Sequence, residues 1–81
     1  METIIMEKKL KKVFVSTFNV DESIFNEELA VGDISQWDSL GHVNLLMAVE
    51  EEFNVAFNAV DAIEVETLGD LLDLLDQYLD N

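Results

Sequence analysis

Leu68, Leu71, Leu72, Leu75 and Leu79 recur at intervals of three and four residues, the spacing that lines one side of an α-helix. Asp73, Asp76 and Asp80 fall on the opposite side, facing water, so the segment must bury one face against other elements. Thr67 opens it, and Asp70 three residues on completes a capping-box pattern with Asp in place of Glu. The same period occurs upstream. Met6, Leu10, Val13, Phe14 and Thr17 share a face, which predicts a first helix over about residues 3–18. A second is expected from Ser39 to about Phe53, with Leu40, Val43, Leu46, Met47 and Phe53 on one broad side. Glu50, Glu51 and Glu52 close its last turns, and Asn58 is placed to cap a short third helix ending near Glu64. Nothing alternates with period two for long enough to demand a strand. The expected fold is all-α, a small three-to-four-helix bundle forming a single domain over residues 1–81.

Residues 19–37 keep no sustained period and contain Asn19, Asp21, Ser23, Asn26, Gly32, Asp33 and Ser35. They read as a long connection with one helical turn near Glu22–Phe25. Connections of this length are uncommon in small domains and are often functional. Proline is absent and there are only three glycines. Gly41, inside the second helix, costs about 1 kcal/mol relative to alanine, so that helix relies on tertiary packing.

The 81 residues are 49% hydrophobic, enough for one modest core. Without cysteine there is neither a disulfide framework nor a thiolate metal site. Apolar runs are far too short to span a membrane, and the start has no signal-peptide pattern, so a cytoplasmic protein is expected. The formal charge is −14 and lopsided. Every basic residue is one of Lys8, Lys9, Lys11 and Lys12. Of 18 acidic residues only Glu2 and Glu7 precede Val13, leaving sixteen in residues 13–81 without one Lys or Arg. Such a field repels nucleic acid and anionic lipid and steers basic protein surfaces toward it.

At the mouth of the second helix stands Trp37-Asp38-Ser39-Leu40-Gly41-His42. Asp38 is placed as N-cap, its carboxylate accepting from the backbone N–H of Leu40 or Gly41. Ser39 then lies in the first turn, where unpaired amides and the helix dipole favour an anion such as a phosphate ester. A hydrolase triad of Ser39, His42 and Asp38 is rejected. Its aspartate would have to orient the histidine but serves as the cap, and Trp37 replaces the first glycine of G-x-S-x-G. His42 reads instead as a surface or partner-contacting residue. No D-x-[DN]-x-[DN]-G loop supports an EF-hand, so no specific metal site is expected. Most aromatic residues read as core. Trp37 either staples the loop onto the bundle or walls the space beside Ser39, and an apolar residue before an N-cap commonly acts as the staple.

Asp38-Ser39-Leu40 joined to Met47-Ala48-Val49-Glu50-Glu51-Glu52-Phe53 and Thr67-Leu68-Gly69-Asp70-Leu71, in an acidic chain of this length, resembles the acyl carrier proteins. The resemblance covers nearly the whole chain. It implies a non-enzymatic, monomeric carrier whose Ser39 receives 4′-phosphopantetheine from coenzyme A through a phosphopantetheinyl transferase. The arm's thiol would hold acyl groups as thioesters, giving thiol chemistry to a chain without cysteine. The implied docking face for acyl-loading and acyl-transferring enzymes with basic patches is Asp38, Leu40, Val43, Met47, Glu50 and Glu51. Gly41 and Asn44 stand where fatty-acid-synthesis carriers often have acids, and Trp-Asp-Ser-Leu-Gly-His looks more like free-standing bacterial carriers of secondary metabolism or surface-polysaccharide pathways. An aminoacyl or D-alanyl carrier is the nearest alternative within the family. A cofactor-free acidic adaptor is the alternative of another class.

Overall fold

The computed structural model describes residues 2–79. Four α-helices follow in order: α1 Thr3–Phe18, α2 Ser39–Phe53, α3 Ala59–Glu64 and α4 Leu68–Leu79, with a 3-10 turn at Glu22–Ile24 between the first two. Most boundaries have a local cause, the start of α1 alone among the described N-caps having no side-chain cap bond. Asp21, Asn58 and Asp38 occupy N-caps, and their side chains accept from Ser23, Asp61 and Gly41 amides respectively. Thr67 and Asp70 bond reciprocally at the start of α4: Thr67 Oγ1 accepts from the Asp70 amide at 3.0 Å and Asp70 Oδ2 from the Thr67 amide at 3.2 Å. α1 and α2 both stop at an asparagine in the left-handed region, Asn19 at φ 54° and Asn54 at φ 55°. There the short polar side chain is tolerated and the cap amide satisfies a late carbonyl.

Met6, Leu10, Val13, Phe14 and Phe18 bury one face of α1. Thr17, expected on that face, is half-buried beside it. Phe14 meets Phe18, Phe25 and Trp37 edge to face at centroid distances of 5.2, 5.7 and 5.9 Å. On α4 the stripe is Leu68, Leu71, Leu72, Leu74 and Leu75, with Leu79 only half-buried; Asp73 and Asp76 face water as expected. Asp80 lies outside the described residues.

The single broad apolar side expected of α2 separates into two. The core takes Gly41, Leu45, Leu46, Val49 and Phe53. Leu40, Val43 and Met47 project outward instead. Their shared spacing with Leu46 conceals that they lie on the far side of the helix from Leu45 and Val49.

The connection over residues 19–37 is tied down at both ends of its second half. Glu27 and Leu29 carbonyls accept from the amides of Gly69 (2.9 Å) and Leu68 (3.0 Å), and the Val31 amide donates to Glu66 at 3.0 Å. This makes one isolated antiparallel bridge, Ala30 to Thr67, and no longer strand among the described residues. Gly32, at φ +92°, then turns the chain so that its amide donates to the Trp37 carbonyl at 2.7 Å. The loop thereby carries the start of α4 and delivers the start of α2. Among the described residues no helix is long and apolar enough to cross a membrane.

Candidate functional site

Ser39 is exposed as the first residue of α2. Just before it, Asp38 has extended backbone, and its Oδ1 accepts from the Gly41 amide at 2.8 Å. Gly41, not Leu40, is therefore the capped residue. The Asp38 carbonyl accepts the first helical bond, from the His42 amide at 2.8 Å. The amides of Ser39 and Leu40 have no intrahelical acceptor at this end, which suits the turn to an esterified phosphate on the hydroxyl.

Gly41 is present for a steric reason. A Cβ built there would collide with the Gln36 carbonyl oxygen and sit 3.1 Å from the Phe18 ring. Only glycine lets the first turn of α2 settle against the loop behind it. Gly41 is buried, so it is not an acid missing from an outward face.

Trp37 is fully buried and packs on Phe14 and on Phe18, the latter with centroids 6.1 Å apart. It is the staple, not a wall beside Ser39. Its indole Nε1–H donates to His42 Nδ1 at 3.0 Å. His42, expected as a surface or partner contact, is instead half-buried and engaged inside the protein. With His42 Nδ1 held by Trp37 and Asp38 Oδ1 by Gly41, the two are not arranged as a catalytic pair for Ser39.

The outward stripe of α2 follows directly from Ser39. Leu40 is 70% exposed, Val43 51% and Met47 61%. Glu51 is exposed, whereas Glu50 is half-buried and its Oε2 accepts from the Phe57 amide at 2.8 Å. Asp38 and Glu50, both expected as docking acids, thus each hold one backbone amide of their own chain.

Val60 and Ile63 of α3 are exposed as well, a feature sequence reading missed. The available signal was two apolar residues three apart on a helix too short to bury both. Tyr78 was missed too. Its hydroxyl accepts from the Asn58 amide at 3.0 Å and donates to Asp61 Oδ2 at 2.8 Å, joining α4 to the cap and first turn of α3. The Asn58 donation lowers the Tyr78 pKa. The bond to Asp61, partial burial and the negative charges of Asp61 and Glu50 outweigh it, raising the pKa above the ordinary value.

Residues 8–75 match the family of the phosphopantetheine attachment site. The acyl carrier protein of Buchnera aphidicola subsp. Baizongia pistaciae (strain Bp) is 35% identical over 75 residues, covering 91% of this chain and 95% of that protein. The solution NMR structure of the holo acyl carrier protein from Geobacter metallireducens superposes with a TM-score of 0.83 at 31% identity, covering 93% of this chain and 86% of that one. The fold and the family match thus define a phosphopantetheine-bearing helical carrier. The chain belongs to the acyl carrier protein family, and its cofactor is 4′-phosphopantetheine. Family membership entails a phosphopantetheinyl transferase and acyl-handling enzymes as partners.

Proposed function

We propose that Ser39 is the attachment residue and that the chain shuttles acyl thioesters between enzymes of a specialised lipid, polyketide or surface-polysaccharide pathway. The observation that carries this reading is an exposed hydroxyl on the first residue of a capped helix, within the matched family segment. When bound, the arm supplies the thiol that the chain lacks. The chain's own residues do the rest. Asp38 keeps the first turn of α2 formed by holding the Gly41 amide, and the outward position of Ser39 leaves its hydroxyl open to a transferase.

Asp38, Leu40, Val43, Met47, Glu50 and Glu51 form the docking face in this reading. Leu40, Val43 and Met47 give apolar contact, and the unbranched thioether of Met47 adapts to differently shaped partners. Glu51 supplies the freest charge for steering basic patches, while Asp38 and Glu50 contribute charge from carboxylates already bonded within the fold. Such a face gives fast, reversible encounters, as a shuttle requires.

Incubation with coenzyme A, magnesium and a broad-specificity phosphopantetheinyl transferase tests the assignment by intact mass. One arm is expected on the wild-type chain and none on Ser39→Ala. Addition to the alanine variant would move the attachment point elsewhere, and no addition to the wild type would overturn the shuttle reading.

A further inference from the structure

Trp37 and His42 flank Ser39, and neither attachment nor docking uses them. They are joined to each other. The indole Nε1–H donates to His42 Nδ1 at 3.0 Å, with the rings 21° from parallel. An imidazole nitrogen accepts through its lone pair, so Nδ1 carries no hydrogen in this bond. Trp37 is fully buried, and an indole N–H left there without an acceptor is costly.

The bond also has a topological effect. It closes a ring from Trp37 through Asp38, Ser39, Leu40 and Gly41 to His42, with Ser39 inside it. Two shorter links brace the ring: Gly41 amide to Asp38 Oδ1 and His42 amide to Asp38 carbonyl, each 2.8 Å. Behind it, Gly41 lies against the Gln36 carbonyl, and Trp37 is clasped by Phe14 and Phe18 of α1. The aromatic clasp fixes the Trp37 ring to the core. The His42 bond fixes that ring to the helix bearing Ser39.

We propose that His42 is a positioning residue for the modification of Ser39. Acting through Trp37, it holds the 37–42 backbone in the form that a phosphopantetheinyl transferase engages. This rests on Ser39 being the attachment residue. His42 touches neither the hydroxyl nor the incoming group in this role. Its loss therefore alters recognition of the protein substrate, read as KM, while the chemical step inside the transferase, read as kcat, stays as it was.

The experiment measures loading kinetics with coenzyme A, magnesium and a broad-specificity transferase, with circular dichroism and melting curves for every variant. His42→Leu removes the acceptor and should raise KM roughly three- to tenfold, the equilibrium factor of one hydrogen bond. His42→Asn places an amide oxygen where Nδ1 stood and should restore KM to within about twofold of wild type. Trp37→Phe removes the donor and should raise KM similarly. The double variant Trp37→Phe with His42→Leu should load no worse than Trp37→Phe alone, because the bond is already gone.

A folded His42→Leu protein with wild-type KM overturns the proposal, and so does an Asn variant as impaired as the Leu variant. Additive losses in the double variant count equally against it. If His42→Leu does not fold, Trp37→Phe and His42→Asn decide: wild-type KM for Trp37→Phe, or an impaired His42→Asn, overturns the proposal. Ser39→Ala runs in the same series. Loading that persists there removes the Ser39 assignment itself, an outcome distinct from any His42 result.

Discussion

Glu50 accepts a hydrogen bond from the amide of Phe57, seven residues later and beyond the end of α2, at 2.8 Å. The carboxylate reaches past the Asn54 turn and holds the chain on its way into α3. Its neighbour Glu51 is exposed. Adjacent acids of identical type on one helix therefore have different work, and they should separate experimentally.

Glu50→Gln retains an acceptor and should be mild, whereas Glu50→Lys should cost about 1–3 kcal/mol by leaving the Phe57 amide without its charged partner. Glu51→Lys should change stability by no more than about 0.5 kcal/mol yet weaken binding to a loading enzyme, most clearly at low salt. Met47→Ala should also weaken that binding, with little dependence on salt, because it removes apolar contact. Urea unfolding and affinity at two ionic strengths distinguish the three. Equal destabilisation by Glu50→Lys and Glu51→Lys would show that the Phe57 bond contributes nothing.

Gly41→Ala should destabilise the protein even though alanine is the better helix former by about 1 kcal/mol. The added methyl would meet the Gln36 carbonyl, a backbone group with nowhere to go. A net loss of roughly 1–3 kcal/mol is expected, measured by thermal or urea unfolding. A more stable alanine variant would mean that the loop behind α2 yields freely.

Tyr78 makes stability sensitive to alkali. Its pKa is raised in the folded protein, so the contribution is fully present below the unfolded value and is lost as pH rises through the folded one. Ionisation removes the proton donated to Asp61 and places two anions together. Wild type should melt above Tyr78→Phe at neutral pH, and the gap should hold up to the ordinary tyrosine value of about 10 and narrow only over the alkaline interval above it. A gap that stays constant over that interval would dissociate the hydroxyl from the α3–α4 junction.

The helix boundaries were legible because their causes are local. Asp38, Asn58 and the Thr67–Asp70 pair act on amides within three residues of themselves, and a sequence displays that spacing directly. The position of Ser39 at the exposed head of α2 was legible for the same reason. The division of α2 was not, since Leu40, Val43 and Met47 are as apolar as Leu45 and Val49, and only the packing of α1 and the rest of the core decides which set is covered. Gly41 showed its cost but not its cause, because the Gln36 carbonyl reaches it through a loop without periodicity. The separate work of Glu50 and the pairing of Trp37 with His42 depend on side-chain reach across turns, which composition and period do not encode.

Trp37 also bears on mechanics. In the proposed role, a group tethered at Ser39 would pull on the backbone two residues from a ring packed against Phe14 and Phe18. Through Trp37 that backbone is coupled to α1 as well as to α2. A pull at this turn is thereby shared with the aromatic interior, which anchors the loop end of α2.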